Sequence, residues 1–179
     1  MTTVRTLTAA DVELVRGIDR AEHVDMQYAV VDGRLVEAPV FMADIPRWDP
    51  DGTGQHSVAA QVAAYREDVE RGGVLLGAFE DDEVAGLAVV VPSHRGDLAQ
   101  LAALHVSRPF RRRGVAGALW DEAARIARAA GASAMYVSAT PTGSAVGFYL
   151  GKGCRLADPP DPVLVAKEPD DIHLVCPLD

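Results

Sequence analysis

This chain predicts one mixed α/β domain, from three observations. Its apolar residues switch between helical and alternating spacing along the whole length, no linker or internal repeat interrupts them, and 179 residues are enough to bury a real core. Hydrophobic residues make up 49% of it and charged residues 24%, a balance that excludes wholesale disorder.

The elements follow in order. Thr8 precedes Ala9-Ala10-Asp11, and Val12, Val15 and Ile18 recur behind it, which predicts a helix over about 9–20 capped by Thr8, with Asp11 at its third position. Ala29 to Val31, Asp32-Gly33, then Arg34 to Val36 reads as a hairpin on a tight Asp-Gly turn. Prolines, glycines and the three aspartates Asp44, Asp49 and Asp51 make 43–54 a loop around Trp48. Val58, Val62, Tyr65 and Val69 stripe a second helix that Gly72 and Gly73 close. Residues 74–80 and 84–91 form an antiparallel hairpin central to the sheet, and 98–106 form the next strand. Val115, Leu119, Ala123, Ile126 and Ala130 stripe a third helix that ends at Gly131. A strand over 134–139 and a short helix over 144–150 follow. Pro159, Pro160 and Pro162 then interrupt the tail before a last strand, 172–176.

A net charge of −9 argues against general nucleic-acid binding, which needs a positive surface. The longest apolar run, Val84 to Val91, has eight residues and cannot span a membrane. The N-terminus carries no apolar signal segment, so a cytoplasmic location is expected. Cys154 and Cys176 give no disulfide framework and are expected to be separate, buried apolar residues in a reducing compartment. No metal-ligating spacing occurs.

Four arginines in six residues, Arg108, Arg111, Arg112 and Arg113, stand out in this acidic chain. They lie between the strand ending Leu104-His105-Val106 and the helix that opens at Gly114-Val115-Ala116-Gly117. A strand, a basic glycine-containing loop and a helix start can grip a pyrophosphate. Backbone N–H groups point out of the helix end, the helix dipole favours an anion, and arginines add charge-assisted bonds. Gly-x-x-x-x-Gly-Lys-Ser/Thr is absent, and Gly114 with Gly117 does not complete a dinucleotide fingerprint.

The spacing resembles the acetyl-CoA signature of the GNAT superfamily of N-acetyltransferases, Arg/Gln-x-x-Gly-x-Gly/Ala, met by Arg111, Gly114 and Ala116. Thr142 to Cys154 resembles the superfamily's second motif, Asn-x-x-Ala-x-x-x-Tyr-x-x-x-Gly-Phe, in the right order and separation. The resemblance covers about 72–178 well and the first seventy residues only loosely. It implies a mixed, mostly antiparallel twisted sheet of six to seven strands flanked by about four helices. It also implies a site where the strands over 98–106 and 134–139 splay apart.

In that site, backbone groups of Leu104, His105 and Val106 would meet the pantetheine of acetyl-CoA. Arg111, Arg112, Arg113, Gly114, Val115, Ala116 and Gly117 would meet its pyrophosphate. Thr142 stands where many relatives have asparagine and would bond the pantetheine arm, with Ser144 beside it. Tyr149 would protonate the departing CoA thiolate; a phenol of pKa ~10 can do so, and a positioned general acid is worth roughly a hundred- to ten-thousand-fold. The bland alternative for Tyr149 is a core tyrosine beside Phe148.

The superfamily's usual glutamate base falls at Gln100, which cannot take a proton. Other candidates for the base are His105, ranked first, then His94, Glu22, His23, Asp25 and His56. The first sixty residues hold ten acids against five arginines, which would suit a cationic small-molecule amine or simply keep the surface soluble. The expected reaction is acetyl transfer to a primary amine of a small molecule, with acetyl-CoA as co-substrate and no metal. A homodimer is compatible with the resemblance. Gln100 and Thr142 leave open a non-catalytic acyl-CoA sensor, and a lysine or N-terminal protein acceptor is the other alternative.

Overall fold

The computed structural model describes residues 1–178. Its strands are β1 (Thr3–Thr6), β2 (Glu22–His23), β3 (Gln27–Val31), β4 (Arg34–Ala38), β5 (Asp44–Ile45), β6 (Val74–Glu80), β7 (Glu83–Arg95), β8 (Leu98–Val106), β9 (Ala134–Ala139), β10 (Arg155–Leu156) and β11 (Ile172–Pro177). Its α-helices are α1 (Val58–Glu70), α2 (Val115–Ala129), α3 (Gly143–Gly151) and α4 (Pro162–Lys167). The described residues form a seven-stranded sheet in the order β1-β6-β7-β8-β9-β11-β10, in which only β8 and β9 run parallel.

Two apolar layers cover the sheet. On one face Leu119, Ala123 and Ala127 of α2, with Val146 and Tyr149 of α3, pack on Leu76, Ala88, Leu101 and Val137. On the other, Val58, Val62 and Tyr65 of α1 pack on Leu75, Leu87 and Val89 together with Val12, Val15, Ile18 and Trp48. Two packed layers on one mixed sheet make the α/β class that the spacing predicts. The β3–β4 hairpin turns where expected, through Asp32 at φ 50° and Gly33 at φ 72°, the paired left-handed residues of a tight hairpin turn.

Three expectations change. The first helix is a 3-10 helix over Ala9–Gly17 rather than an α-helix to residue 20. Its buried residues Val12 and Val15, and the buried Ile18 just after it, recur every third position, the period of a 3-10 turn and not of an α-turn. The Thr8 and Asp11 cap does form, the Thr8 backbone N–H and hydroxyl both donating to the Asp11 carboxylate at 2.8 and 2.7 Å. Second, Cys154 and Cys176 are not separate thiols but a disulfide. The antiparallel register Arg155↔Val175 sets position 154 directly opposite 176, a pairing that the spacing of two cysteines does not reveal. The step from unpaired thiols to a reducing compartment falls with it. Third, β1, the short β2, β5 and β10, and α4 are additions. Asp161 caps α4, accepting N–H bonds from Val163 and Leu164, with Pro162 opening its first turn. No helix of the described residues is long and apolar enough to cross a membrane.

Candidate functional site

The parallel pairing of β8 and β9 lasts only from Leu98↔Ala134 to Leu101↔Val137. Beyond it β8 stays with β7 as far as Val106↔Gly86, and β9 stays with β11 as far as Ala139↔Ile172. Each strand is held by an antiparallel ladder on its outer side, so the two ends diverge and leave a backbone edge of β8 without a strand partner. A bulge helps to set this up. Val89 faces Ala103 but Val90 faces Leu101, so Ala102 is an extra residue on β8. Leu101, Leu104 and Val106 pack toward α2, whereas Ala102 and Ala103 both pack toward α1. Strict alternation from Leu101 would have carried His105 to the α2 side. The bulge sends it to the α1 side, where Tyr65 meets it.

The loop after β8 uses its arginines unequally. Arg111 points inward: its Nε donates to the Val106 carbonyl at 3.1 Å, Nη1 to Ala21 at 3.0 Å and Nη2 to Arg20 at 2.8 Å. It thereby ties the chain around Arg20 to the end of β8. Arg113 pairs with the buried Glu80 at 2.6 Å and stacks its guanidinium on Phe110. Arg112 is exposed, has no ion pair among the described residues, and sits at φ 60°. Gly114 follows at φ 87°, a left-handed position that suits glycine. These turns aim the backbone outward. Among the described residues, the N–H groups of positions 112 to 117 find no acceptor, and the first bond of the helix is Ala118 N–H to the Gly114 carbonyl. Six such donors at a helix N-terminus are an anion cradle. Val115 is buried and offers only its backbone, while Ala116 and Gly117 are half-buried.

Across the splay, Thr142 caps α3. Its Oγ1 accepts from the Ala145 N–H at 3.3 Å, and only 2% of the residue is exposed, so its hydroxyl is already engaged. Ser144 donates to Glu22, which lies 3.9 Å from Arg111. Tyr149 is 6% exposed, its ring between Trp120 and Phe148 at 5.9 and 5.2 Å. Its hydroxyl has no hydrogen-bond partner among the described residues. Burial, and secondarily the Asp171 carboxylate, push its pKa up. At neutral pH it is a protonated phenol.

The α1 side holds the other titratable groups. His105 Nδ1 lies 2.8 Å from the Tyr65 hydroxyl, and the ring meets Trp48 edge-on at 4.9 Å. Burial, then the charges of Arg20 and Arg111, lower its pKa to about 4. The imidazole is therefore neutral at pH 7. Gln100, buried on the same side, accepts from Arg71 Nη2 at 2.7 Å. The remaining base candidates of the sequence are dispersed. His94 bonds Asp161 beside the first residues of β8, His23 bonds Asp44 at the surface, and Asp25 and His56 are exposed. Asp171, which no spacing marked, lies just before β11, next to Ile172. Burial, then Glu168 and Asp170, raise its carboxyl to about 7. In the sequence it is one of three acids, Glu168, Asp170 and Asp171, ahead of the last strand, so no signal singled it out.

The acids of the first sixty residues are mostly engaged locally. Asp19 pairs with Arg47 at 2.6 Å, Asp49 accepts the N–H bonds of Asp51 and Gly52, and Asp11 caps its helix. Among the described residues no group of three or more His, Cys, Asp or Glu side chains is arranged to hold a metal ion. Two surface depressions, of about 310 and 530 Å3, lie at the β1–β6 edge and beside the 3-10 helix, away from Tyr149.

Known proteins share this fold. The structure of nourseothricin acetyltransferase superposes with a TM-score of 0.73 at 22% identity, covering 99% of both chains. A putative streptothricin acetyltransferase from Bacillus anthracis, in complex with acetyl coenzyme A, gives 0.65 at 15% identity over 98% of this chain and 95% of that one. The ribosomal-protein-S18-alanine N-acetyltransferase from Escherichia coli gives 0.63 at 15% over 100% and 95%. No curated protein matches by sequence. The Acetyltransferase (GNAT) family profile matches residues 41–153, which span the β8 edge, the N–H cradle and Tyr149. That match covers more than half of the chain, which therefore belongs to the GNAT acetyltransferase family, whose reaction takes an acetyl group from acetyl-CoA to an amine.

Proposed function

We propose that this protein moves the acetyl group of acetyl-CoA directly to a primary amine of a small, cationic molecule. The observation that carries the donor half is the run of N–H groups from 112 to 117 without acceptors, beside the unpaired edge of β8. That surface fits a pyrophosphate followed by an amide-bearing arm. Arg112 adds charge from outside, while Arg111 and Arg113 hold the loop in shape. The backbone of Leu104, His105 and Val106 lies along the edge that would take the pantetheine. Ser144 and Thr142 border it through the start of α3.

Attack on the thioester gives a tetrahedral oxyanion that backbone donors of the splayed edge stabilise, and collapse expels CoA thiolate. Tyr149, held protonated, supplies the proton to sulfur. His105 is neutral and bonded to Tyr65, and serves the acceptor side as a hydrogen-bonding group; it is also the candidate base on β8. Two similar structures are named nourseothricin and streptothricin acetyltransferase, so we add those antibiotics to polyamines and aminoglycosides as acceptors to try first.

The test is CoA thiol release with a panel of spermidine, kanamycin, nourseothricin, free amino acids and lysine peptides, after calorimetry has shown acetyl-CoA binding. Release that depends on a small amine supports the reading. Release only with peptides moves the acceptor to protein. Binding without release above hydrolysis would leave a sensor.

A further inference from the structure

We infer, resting on the acetyl-transfer reading above, that Tyr65 is a positioning residue. Its buried hydroxyl donates to Nδ1 of His105 and so keeps the imidazole proton on Nε2. Of the two roles open to His105, that selects a hydrogen-bond donor at the splayed edge of β8 and not the base of the transfer.

The fold brings the pair together. Tyr65 stands on the face of α1 that packs against the sheet and is 1% exposed. The bulge at Ala102 turns His105 to the same side, where its Nδ1 lies 2.8 Å from the phenol oxygen. Among the described residues the hydroxyl has no second partner. A phenol has one proton to give, and a neutral imidazole has one nitrogen that donates and one that accepts. If Nδ1 carried the proton, the hydroxyl would have to accept it, and the phenol proton would be buried without an acceptor. That is the costlier arrangement. With the proton on Nε2, the phenol donates to a bare Nδ1 and the buried bond is complete. Burial and the charges of Arg20 and Arg111 keep a second proton off the imidazole. Burial, then the Asp68 carboxylate and Tyr149, push the Tyr65 pKa up, so the phenol keeps its proton.

The other ring nitrogen faces accessible space. Nε2 has no partner among the described residues, and none of their side-chain nitrogens or oxygens is fully buried without one. The exposure begins where β9 departs: residues 99–101 are buried while β9 accompanies β8, and 102–106 are half-buried beyond it. Trp48 meets the ring edge-on at 4.9 Å and Tyr65 lies along it at 6.0 Å, which holds the imidazole from two sides. A neutral N–H fixed beside a thioester stabilises the oxyanion that develops there without giving up its proton.

The protons then balance without His105. The acceptor reacts as the free amine. Its nitrogen forms the C–N bond, the C–S bond breaks and Tyr149 protonates the sulfur. The proton that the nitrogen sheds restores the phenol, and Nε2 keeps its own throughout.

Two readouts test the pair and its role. Long-range proton–nitrogen correlation spectra of protein carrying isotope-labelled histidine give the tautomer. At neutral pH the His105 proton should reside on Nε2, with the Nδ1 signal displaced by its hydrogen bond. In Tyr65→Phe that displacement should vanish. A proton on Nδ1, or an Nδ1 signal indifferent to Tyr65→Phe, would overturn the inference. Kinetics with an amine of the panel that is acetylated give the role. Glutamine offers an N–H near the Nε2 position but no base, and leucine offers neither. His105→Leu should lower kcat/KM roughly a hundredfold, and His105→Gln should recover about tenfold of that loss, with acetyl-CoA affinity by calorimetry unchanged. Equal losses in the two variants would make His105 the base, and a His105→Leu enzyme within about threefold of wild type would leave it no part; either would overturn the donor role. If His105→Leu fails to fold, the wild-type and Tyr65→Phe spectra decide. A wild type that binds acetyl-CoA and acetylates no amine would sink the transfer reading and the donor role with it, while the spectra would still decide the Tyr65–His105 bond.

Discussion

The two sides of the splayed strands are assembled by different means. In the proposed reading, the acyl-donor side is one continuous stretch, β8 through α3, in which the key groups are backbone N–H donors and a tyrosine placed by helix spacing. The side left for the acceptor in that reading collects Tyr65 from α1, Gln100 and His105 from β8, and Arg71 behind α1. The proposed pyrophosphate site is geometry that local sequence dictates, while the proposed amine side consists of side chains that only the finished fold brings together. The donor side is therefore the more uniform in design and the acceptor side the more particular to this chain.

The largest effect expected from breaking that contrast is at Tyr149, which belongs to the donor stretch and is proposed to protonate the leaving thiolate. Tyr149→Phe keeps the ring between Trp120 and Phe148, so acetyl-CoA affinity and thermal stability should hold. Acceptor-dependent thiol release should drop by roughly a hundred- to ten-thousand-fold. A drop in stability without a specific loss of turnover would return the residue to the core.

Arginines that look alike in sequence should separate next. Arg111→Ala removes three charged bonds to carbonyls and should cost about 2–4 kcal/mol in denaturant unfolding. Arg112→Ala should leave stability unchanged and weaken acetyl-CoA binding a few-fold, more at low salt than at high. The opposite pattern would mean that Arg111 turns outward to the ligand.

Much of the donor side was legible. The boundaries of β8 and β9, the helix after Gly114 and the position of Tyr149 follow from alternation, 3.6-residue spacing and the two motifs. Side-chain direction was not. Nothing in Arg111-Arg112-Arg113 tells which guanidinium turns inward, because that depends on carbonyls about ninety residues earlier. The bulge at Ala102 inserts one small residue into an apolar run and reverses the side His105 faces, without a residue type that announces it. The Cys154–Cys176 crosslink depends on the pairing of β10 with β11, a strand too short to show a period. The raised carboxyl of Asp171 comes from burial and from two neighbouring acids, and burial is a property of the fold.

Smaller effects sharpen the contrast. Gly114→Ala forces a side chain into the left-handed region and should cost roughly 1 kcal/mol, read as weaker acetyl-CoA binding as the cradle shifts. His105 bears on stability. Its folded pKa of about 4 lies below the ~6.5 of the unfolded chain, so the unfolded state binds the extra proton first. Its contribution is whole above pH ~6.5 and is lost as pH falls toward 4. His105→Gln should flatten the decline of Tm across that window and leave the slope above it unchanged.

The most direct test of the donor side is a backbone amide NMR titration of the wild-type protein with acetyl-CoA. The account predicts the largest shifts at the N–H groups of 112 to 117 and along 103 to 106, with small shifts around the 3-10 helix and β1. Shifts that centre elsewhere and leave 112 to 117 unmoved would contradict it.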